Sequence, residues 1–245
     1  MFRFTPLLAS VTLLISSVVF PLISNASPSP RVCANAAISI KAEGAVDHND
    51  ICGGADDALT FFSRLDLELL HPLVVEVVRN LPNFMSKTAV GCYLEEEQRI
   101  LVLTFSAFQK RRHWFGVPVD RSMYRSLVTH EVAHAVGSCH FAMPDPPIQA
   151  QEYVAYVAMF SMMNPDLRER VLAENPGVGF DSQLEMNEII YLFDPMRFGV
   201  EAYRHYLKNG QGTAFLRRVL SGKALISRGI ELPNLRKRSS PSDAS

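Results

Sequence analysis

Residues 127–141 read LVTHEVAHAVGSCHF, and this stretch holds the side chains with the most chemistry to offer. His130 and His134 stand four apart, and Glu131 directly follows the first. On a helix, positions i and i+4 share one face a turn apart, so both imidazoles can be aimed at a single ion with Glu131 at its edge. The flanking Leu127, Val128, Val132, Ala133, Ala135 and Val136 are small or apolar, which places this helix in the interior. Two imidazoles and a carboxylate in apolar surroundings require partners. A divalent cation supplies them.

HExxH on a helix is a zinc-binding pattern in which the glutamate serves as general base. A catalytic zinc takes three protein ligands and keeps one position open, so a third ligand is needed. Two candidates compete. HEVAHAVGSCH fits HExxHxxGxxH, the metzincin form, in which Gly137 turns the chain and His140 ligates; SMMNP at 161–165 offers a superficial methionine turn. Glu152 lies eighteen residues after His134 in PPIQAQEYVAYVAMF, where residues 154–160 are apolar on every side and read as a buried helix. A lone carboxylate at the edge of such a helix is costly without a cation, which favours Glu152 over His140. The bland alternative is a solvated glutamate in the first turn, favoured by the helix dipole.

THEVAHAV followed by AQEYVAYVA resembles the gluzincin-type zinc metallopeptidases, whose HExxH is followed by a helix with an E-x-x-A-Y-like motif; Glu152, Ala155 and Tyr156 match it. FGVEAYRHYLKNGQGTAFLRRVLSG is similar to a tyrosine-bearing helical segment of some of these peptidases, and the whole layout resembles a functionally unassigned family of exported bacterial proteins. The resemblance implies a zincin-like α+β fold with a small mixed or antiparallel sheet, an active-site helix and a mostly helical C-terminal half. It implies one zinc ion on His130, His134 and Glu152, with Glu131 as base and a protein or peptide as substrate. Tyr203 and His205 in AYRHYL are the candidates to stabilise the oxyanion. A strand within residues 88–105 would hold extended substrate by β-augmentation. The competing reading is a non-catalytic, zinc-stabilised module that binds a peptide or partner. Retention of Glu131 argues against it, because a structural zinc site has no use for that carboxylate.

The elements that must position these residues are legible as patterns. AAISIKA (36–42) alternates as a strand, and GGADDALTFFSRLDL reads as a helix begun at its glycine pair. Residues 74–78 form a β-branched run, and TAVGCYLEEEQRILVLTF reads as two strands joined by the charged turn at 95–98. From Asp120 the pattern is helical: Asp120 is the expected N-cap and Gly137 the expected stop of the HExxH helix. QAQEYVAYVAMFSMM follows, ended by Asn164-Pro165; then come LRERVL, SQLEMNEIIYLF, PMRFGVEAYRHYL and TAFLRRVL. Trp114, the only tryptophan, offers a pocket wall but reads more simply as a packed or partly exposed loop residue. Arg111, Arg112 and His113 are too short a basic run to imply an anionic partner.

With 24 basic and 25 acidic side chains the chain carries a formal charge of −1, and nothing in that balance suggests a nucleic-acid partner, which would usually need a basic face. Residues 1–26 have the layout of a cleavable secretory signal: Arg3, an apolar run from Leu7 to Ile23, then small residues at Ser24 and Ala26. The expected organisation is a single domain over 27–228, with an α/β part to about 119 and a helical part from 120, then a disordered tail over 229–245. A pro-segment within residues 27–70 stays open. No later stretch reaches about 18 continuous apolar residues, so no stable membrane insertion is expected after cleavage. Export is to the periplasm or medium, where the even count of Cys33, Cys52, Cys92 and Cys139 favours two disulfides of open connectivity. Cleavage specificity and oligomeric state are not written in the sequence.

Overall fold

Alternating apolar residues build the sheet. In a computed structural model of the protein, residues 31–226 are described except 36, 43–47, 84, 87 and 211. The expected signal segment 1–26 and the tail 229–245 lie outside the described residues. In β3 (Leu73–Val78), Leu73, Val75 and Val77 are buried and the residues between them are half-covered, the period-2 pattern of a strand with one face on the core. β5 (Arg99–Leu103) is buried from Ile100 to Leu103 and so lies in the sheet interior. With β1 (Arg31–Val32), β2 (Ile38–Ala42) and β4 (Gly91–Leu94) they form one five-stranded sheet in the order β1-β2-β3-β5-β4. β2, β3 and β5 run parallel, while β1 and β4 pair antiparallel to β2 and β5. β4 is therefore an edge strand, joined to β5 by the turn through Glu95–Glu97 as its charge pattern predicts.

Helices dominate after residue 120, and with the small mixed sheet they make an α+β fold. α1 (His48–Ser63) packs along α3 (Arg121–Ser138), and α3 along α4 (Ile148–Met162). Here α1 differs from the sequence expectation. Gly53 and Gly54 do not begin the helix but lie inside it. A Cβ on Gly54 would sit 2.6 Å from the Arg125 carbonyl oxygen and 2.7 Å from Val128 Cβ, so the hydrogen side chain is what lets α1 approach α3. Arg125 bonds both carboxylate oxygens of Asp57, at 2.5 and 2.7 Å, and Arg121 reaches Asp50 at 2.8 Å, fixing the register of the two helices.

Asp120 caps α3 as expected, its Oδ1 accepting the Met123 amide at 2.8 Å. Gly137 does not stop the helix. It stays helical and buried, and its missing side chain faces Val154 of α4 across the helix crossing. α4 is buried on nearly every side and ends before Asn164, whose side chain caps α5 (Pro165–Glu174). The helix expected over 182–193 is confined to α6 (Glu188–Phe193), because Asn187 caps it at the Ile190 amide and starts it late. α7 (Pro195–Leu207) packs on α4, and α8 (Gly212–Leu220) on both. Five-residue α2 (Phe105–Gln109) leads to the hairpin of β6 (His113–Trp114) and β7 (Val117–Pro118). Its two-residue loop puts Phe115 (φ 52°) and Gly116 (φ 77°) in the left-handed region. Phe115 tolerates this because its ring is buried against Trp114, Tyr156 and Phe160.

The expectation of two disulfides is corrected to one. Cys33 and Cys52 are bridged, tying the segment after β1 to α1. Cys92 and Cys139 are free thiols. Cys139 caps the end of α3 and donates to Ala135 of its own helix, whereas Cys92 lies on β4 and donates to the Tyr93 carbonyl.

Candidate metal centre

Two buried helices bring the site together. α3 contributes His130, Glu131 and His134, and α4 contributes Glu152 from its first turns. The Nε2 atoms of His130 and His134 stand 3.1 Å apart. Glu152 Oε2 lies 3.5 Å from His130 Nε2, and Oε1 lies 3.5 Å from His134 Nε2. One ligand atom from each of the three residues falls within 4.8 Å of the others, and the group could hold a metal ion. Glu152 Oε2 is buried with no hydrogen-bond partner, an arrangement that costs about 1–3 kcal/mol unless something occupies the point of convergence. Two imidazole nitrogens and a carboxylate oxygen are a donor set suited to zinc with one position left open. The residues present fit the ion.

Electrostatics agree with mutual dependence. Burial pushes His134 down to about 4, only partly opposed by Glu152. Burial also pulls His130 down, but the Glu152 carboxylate more than offsets this and lifts it above its ordinary value. Burial works to raise Glu152, yet His134, His130 and the Tyr191 hydroxyl together hold it below the usual carboxylate range. Tyr191, on α6, donates from Oη to Glu152 Oε1 at 2.9 Å.

Glu131 is buried beside the cluster, and burial raises its carboxyl to about 7; the nearby His130 pulls the other way and Glu152 adds to the rise. Its seat is made by Gly91 on β4. A Cβ there would sit 2.4 Å from Glu131 Oε1, so the carboxylate lies directly on the backbone of the edge strand. The four residues line a cavity of about 760 Å³ together with Val90, Gly91–Tyr93 of β4, Trp114, Tyr156, Tyr191 and Phe193. Tyr156 packs its ring against His130, centroids 4.5 Å apart, and is backed by Gly199 of α7, where a Cβ would stand 2.6 Å from the ring. Cys92 also faces this cavity; burial, then Glu131 and Glu152, push its thiol up to about 11 and keep it protonated.

Other sequence candidates lie elsewhere. His140 donates from Nε2 to the Glu68 carbonyl oxygen at 2.8 Å and is outside the cluster. Met162 and Met163 end α4 and form no separate turn. Tyr203 stacks between Phe160 and Tyr206, and His205 Nδ1 shares a hydrogen bond with Tyr153 Oη at 2.8 Å; neither lines the cavity. The phenol that reaches the cluster is Tyr191, which sequence reasoning read only as part of a helix. Gly91 was likewise missed, and nothing in GCYL signals that a glutamate from α3 rests on it.

Fold and cluster define an α+β protein with a buried His-His-Glu candidate metal site on two adjacent helices. Residues 38–229 match a family of unknown function, DUF6639, and the chain belongs to it. The match spans every described element from β2 to α8, the site included. No curated protein and no solved structure matches the chain.

Proposed function

We propose that the protein is an exported, zincin-like, zinc-dependent metallopeptidase that hydrolyses peptide bonds, with His130, His134 and Glu152 as ligands and Glu131 as general base. The observation that carries this reading is the convergence of three ligand atoms beside a fourth, non-ligating carboxylate seated on an exposed strand edge. A zinc ion held there supplies Lewis acidity, lowering the pKa of water from about 15.7 towards about 7 and polarising a carbonyl. Glu131, beside the ion's place, would take a proton from the attacking water and return it to the leaving amine. Tyr191 orients Glu152 through its hydroxyl, and Tyr156 fixes the His130 ring by packing. β4 pairs with β5 on one side only, so its other edge offers main-chain donors and acceptors to an extended peptide crossing the cavity. Export is supported by the Cys33–Cys52 disulfide and by the leader-like residues 1–26.

The test separates metal from catalysis. Zinc at a hundred times its Kd stabilises the native state by about 2.7 kcal/mol. At roughly 2–4 °C per kcal/mol for a domain of this size, the melting temperature rises by about 5–11 °C. Glu152→Ala abolishes that rise. Glu131→Gln keeps it, but cleaves unfolded protein about 10²–10⁴-fold more slowly than wild type. Zinc binding with no Glu131-dependent cleavage across a broad peptide mixture would reject the peptidase and leave a zinc-stabilised binding module. No zinc-dependent shift in the wild type would reject both.

A further inference from the structure

A second cavity, of about 670 Å³, opens at the carboxyl ends of the parallel strands β3 and β5. Three cations line it: Arg79, just after β3, and Lys110 and Arg111, just after α2. Asn80, Asn83 and Ser86 add neutral polar groups, and no carboxylate is in the lining. Among the described residues, Arg79 and Lys110 have no acidic partner. Arg111 is anchored, donating to the Ala89 carbonyl at 3.2 Å. Arg79 and Lys110, two cations with no acidic partner among the described residues, set in a concave wall, focus a positive potential on whatever enters. The sequence pattern hides this, because Arg79 stands 31 residues before Lys110 and only the sheet brings them together.

The second cavity adjoins the metal cavity. Met85 lines both, and the chain between them is Thr88–Val90, leading directly into β4. From Gly91, where Glu131 rests, to Ala89 is two residues, about 7 Å of extended chain. A peptide laid along β4 therefore passes out of the metal cavity and over the cationic one within two or three residues.

We infer that this cavity is a binding site for acidic side chains, and that it selects peptides carrying Asp or Glu two or three residues from the cleaved bond, always on the same side. The inference rests on the peptidase reading for its substrate but not for its binding chemistry. Guanidinium and ammonium groups bind carboxylates by charge-assisted hydrogen bonds.

The experiment uses zinc-loaded, full-length Glu131→Gln protein, which holds a peptide without cutting it, and fluorescent twelve-residue peptides that differ only in three central residues. The peptide with three glutamates binds about tenfold more tightly than its glutamine counterpart, and the difference shrinks as salt is raised. Arg79→Ala/Lys110→Ala removes the preference while the zinc-dependent melting shift is kept, and Arg79→Glu/Lys110→Glu turns it towards a third peptide with three lysines at the same positions. Equal affinity for the glutamate and glutamine peptides, or a preference that survives the double substitution, overturns the inference. In parallel, wild type is given a complex peptide digest and its cut sites are sequenced; Asp and Glu are enriched at one flanking position, and the double alanine variant flattens that enrichment. Acidic preference in binding with no cleavage upholds the site and rejects the peptidase. Cleavage with no acidic preference upholds the peptidase and rejects the site.

Discussion

Gly91→Ala is the sharpest perturbation of the proposed base. The added methyl would stand 2.4 Å from Glu131 Oε1, 2.6 Å from Cδ and 2.8 Å from Cγ, where ordinary contact begins near 3.4 Å. The carboxylate must therefore retreat by about 1 Å. It can do so, because the atoms in the way are the far end of a flexible side chain and no backbone is obstructed. Alanine also removes the conformational entropy that glycine loses in a strand, a gain of about 0.5–1 kcal/mol, so the fold is kept. A reacting group displaced by about 1 Å costs on the order of 10²-fold in rate. Expected, then, is a melting temperature within a few degrees of wild type, an unchanged zinc-dependent shift, and hydrolysis of unfolded protein reduced about a hundredfold. Melting with and without zinc, followed by steady-state cleavage, measures all three. Hydrolysis within about threefold of wild type, with stability and zinc response intact, would show that Glu131 does not act from its seat on β4.

Two further outcomes test the scaffold and the site. Gly54→Ala drives a Cβ into the Arg125 carbonyl and Val128, neither of which can yield, and costs about 1–3 kcal/mol. Gly53→Ala meets the Arg125 guanidinium at 3.0 Å, a looser contact on a group held by Asp57, and helix propensity of up to about 1 kcal/mol offsets it, so thermal melts should place Gly54→Ala well below Gly53→Ala. The other concerns acid. His134 titrates near 4 in the metal-free native state and near 6.5 unfolded, so below pH 6.5 the unfolded chain binds a proton that the native chain refuses. This contribution destabilises the protein as pH falls from 6.5 to 4, by up to about 3 kcal/mol at 1.36 kcal/mol per unit. His134→Gln removes it. The variant's melting temperature, measured without metal, should fall less steeply over that interval, and an identical slope would refute the burial argument.

What the sequence discloses is what local periodicity can carry. The four-residue spacing of His130 and His134 places two imidazoles on one helical face, and the apolar run around Glu152 announces a buried helix with one carboxylate. Those three residues do meet. Tyr191 and Gly91 have no such signal, since each matters only where α6 and β4 arrive from distant parts of the chain. The glycines at 53, 54 and 137 were read as helix punctuation because glycine usually breaks helices. In this fold all three lie inside helices, and at Gly54 the neighbouring helix comes too close for a side chain. The aromatic residues Tyr203 and His205 share the helical spacing of a site but face the core behind α4. Periodicity cannot tell the two apart.

Gly199 carries a consequence for the order of biosynthesis. His130 is steadied by the Tyr156 ring, and that ring is held from behind by the bare backbone of α7 at position 199. The ligands at 130, 134 and 152 leave the ribosome long before this support does. A growing polypeptide therefore has its donors but not the backstop that aligns them, and on the proposed function ion capture would belong to the finished molecule. An enzyme of the proposed kind would stay harmless to its own synthetic machinery until the last helices had docked.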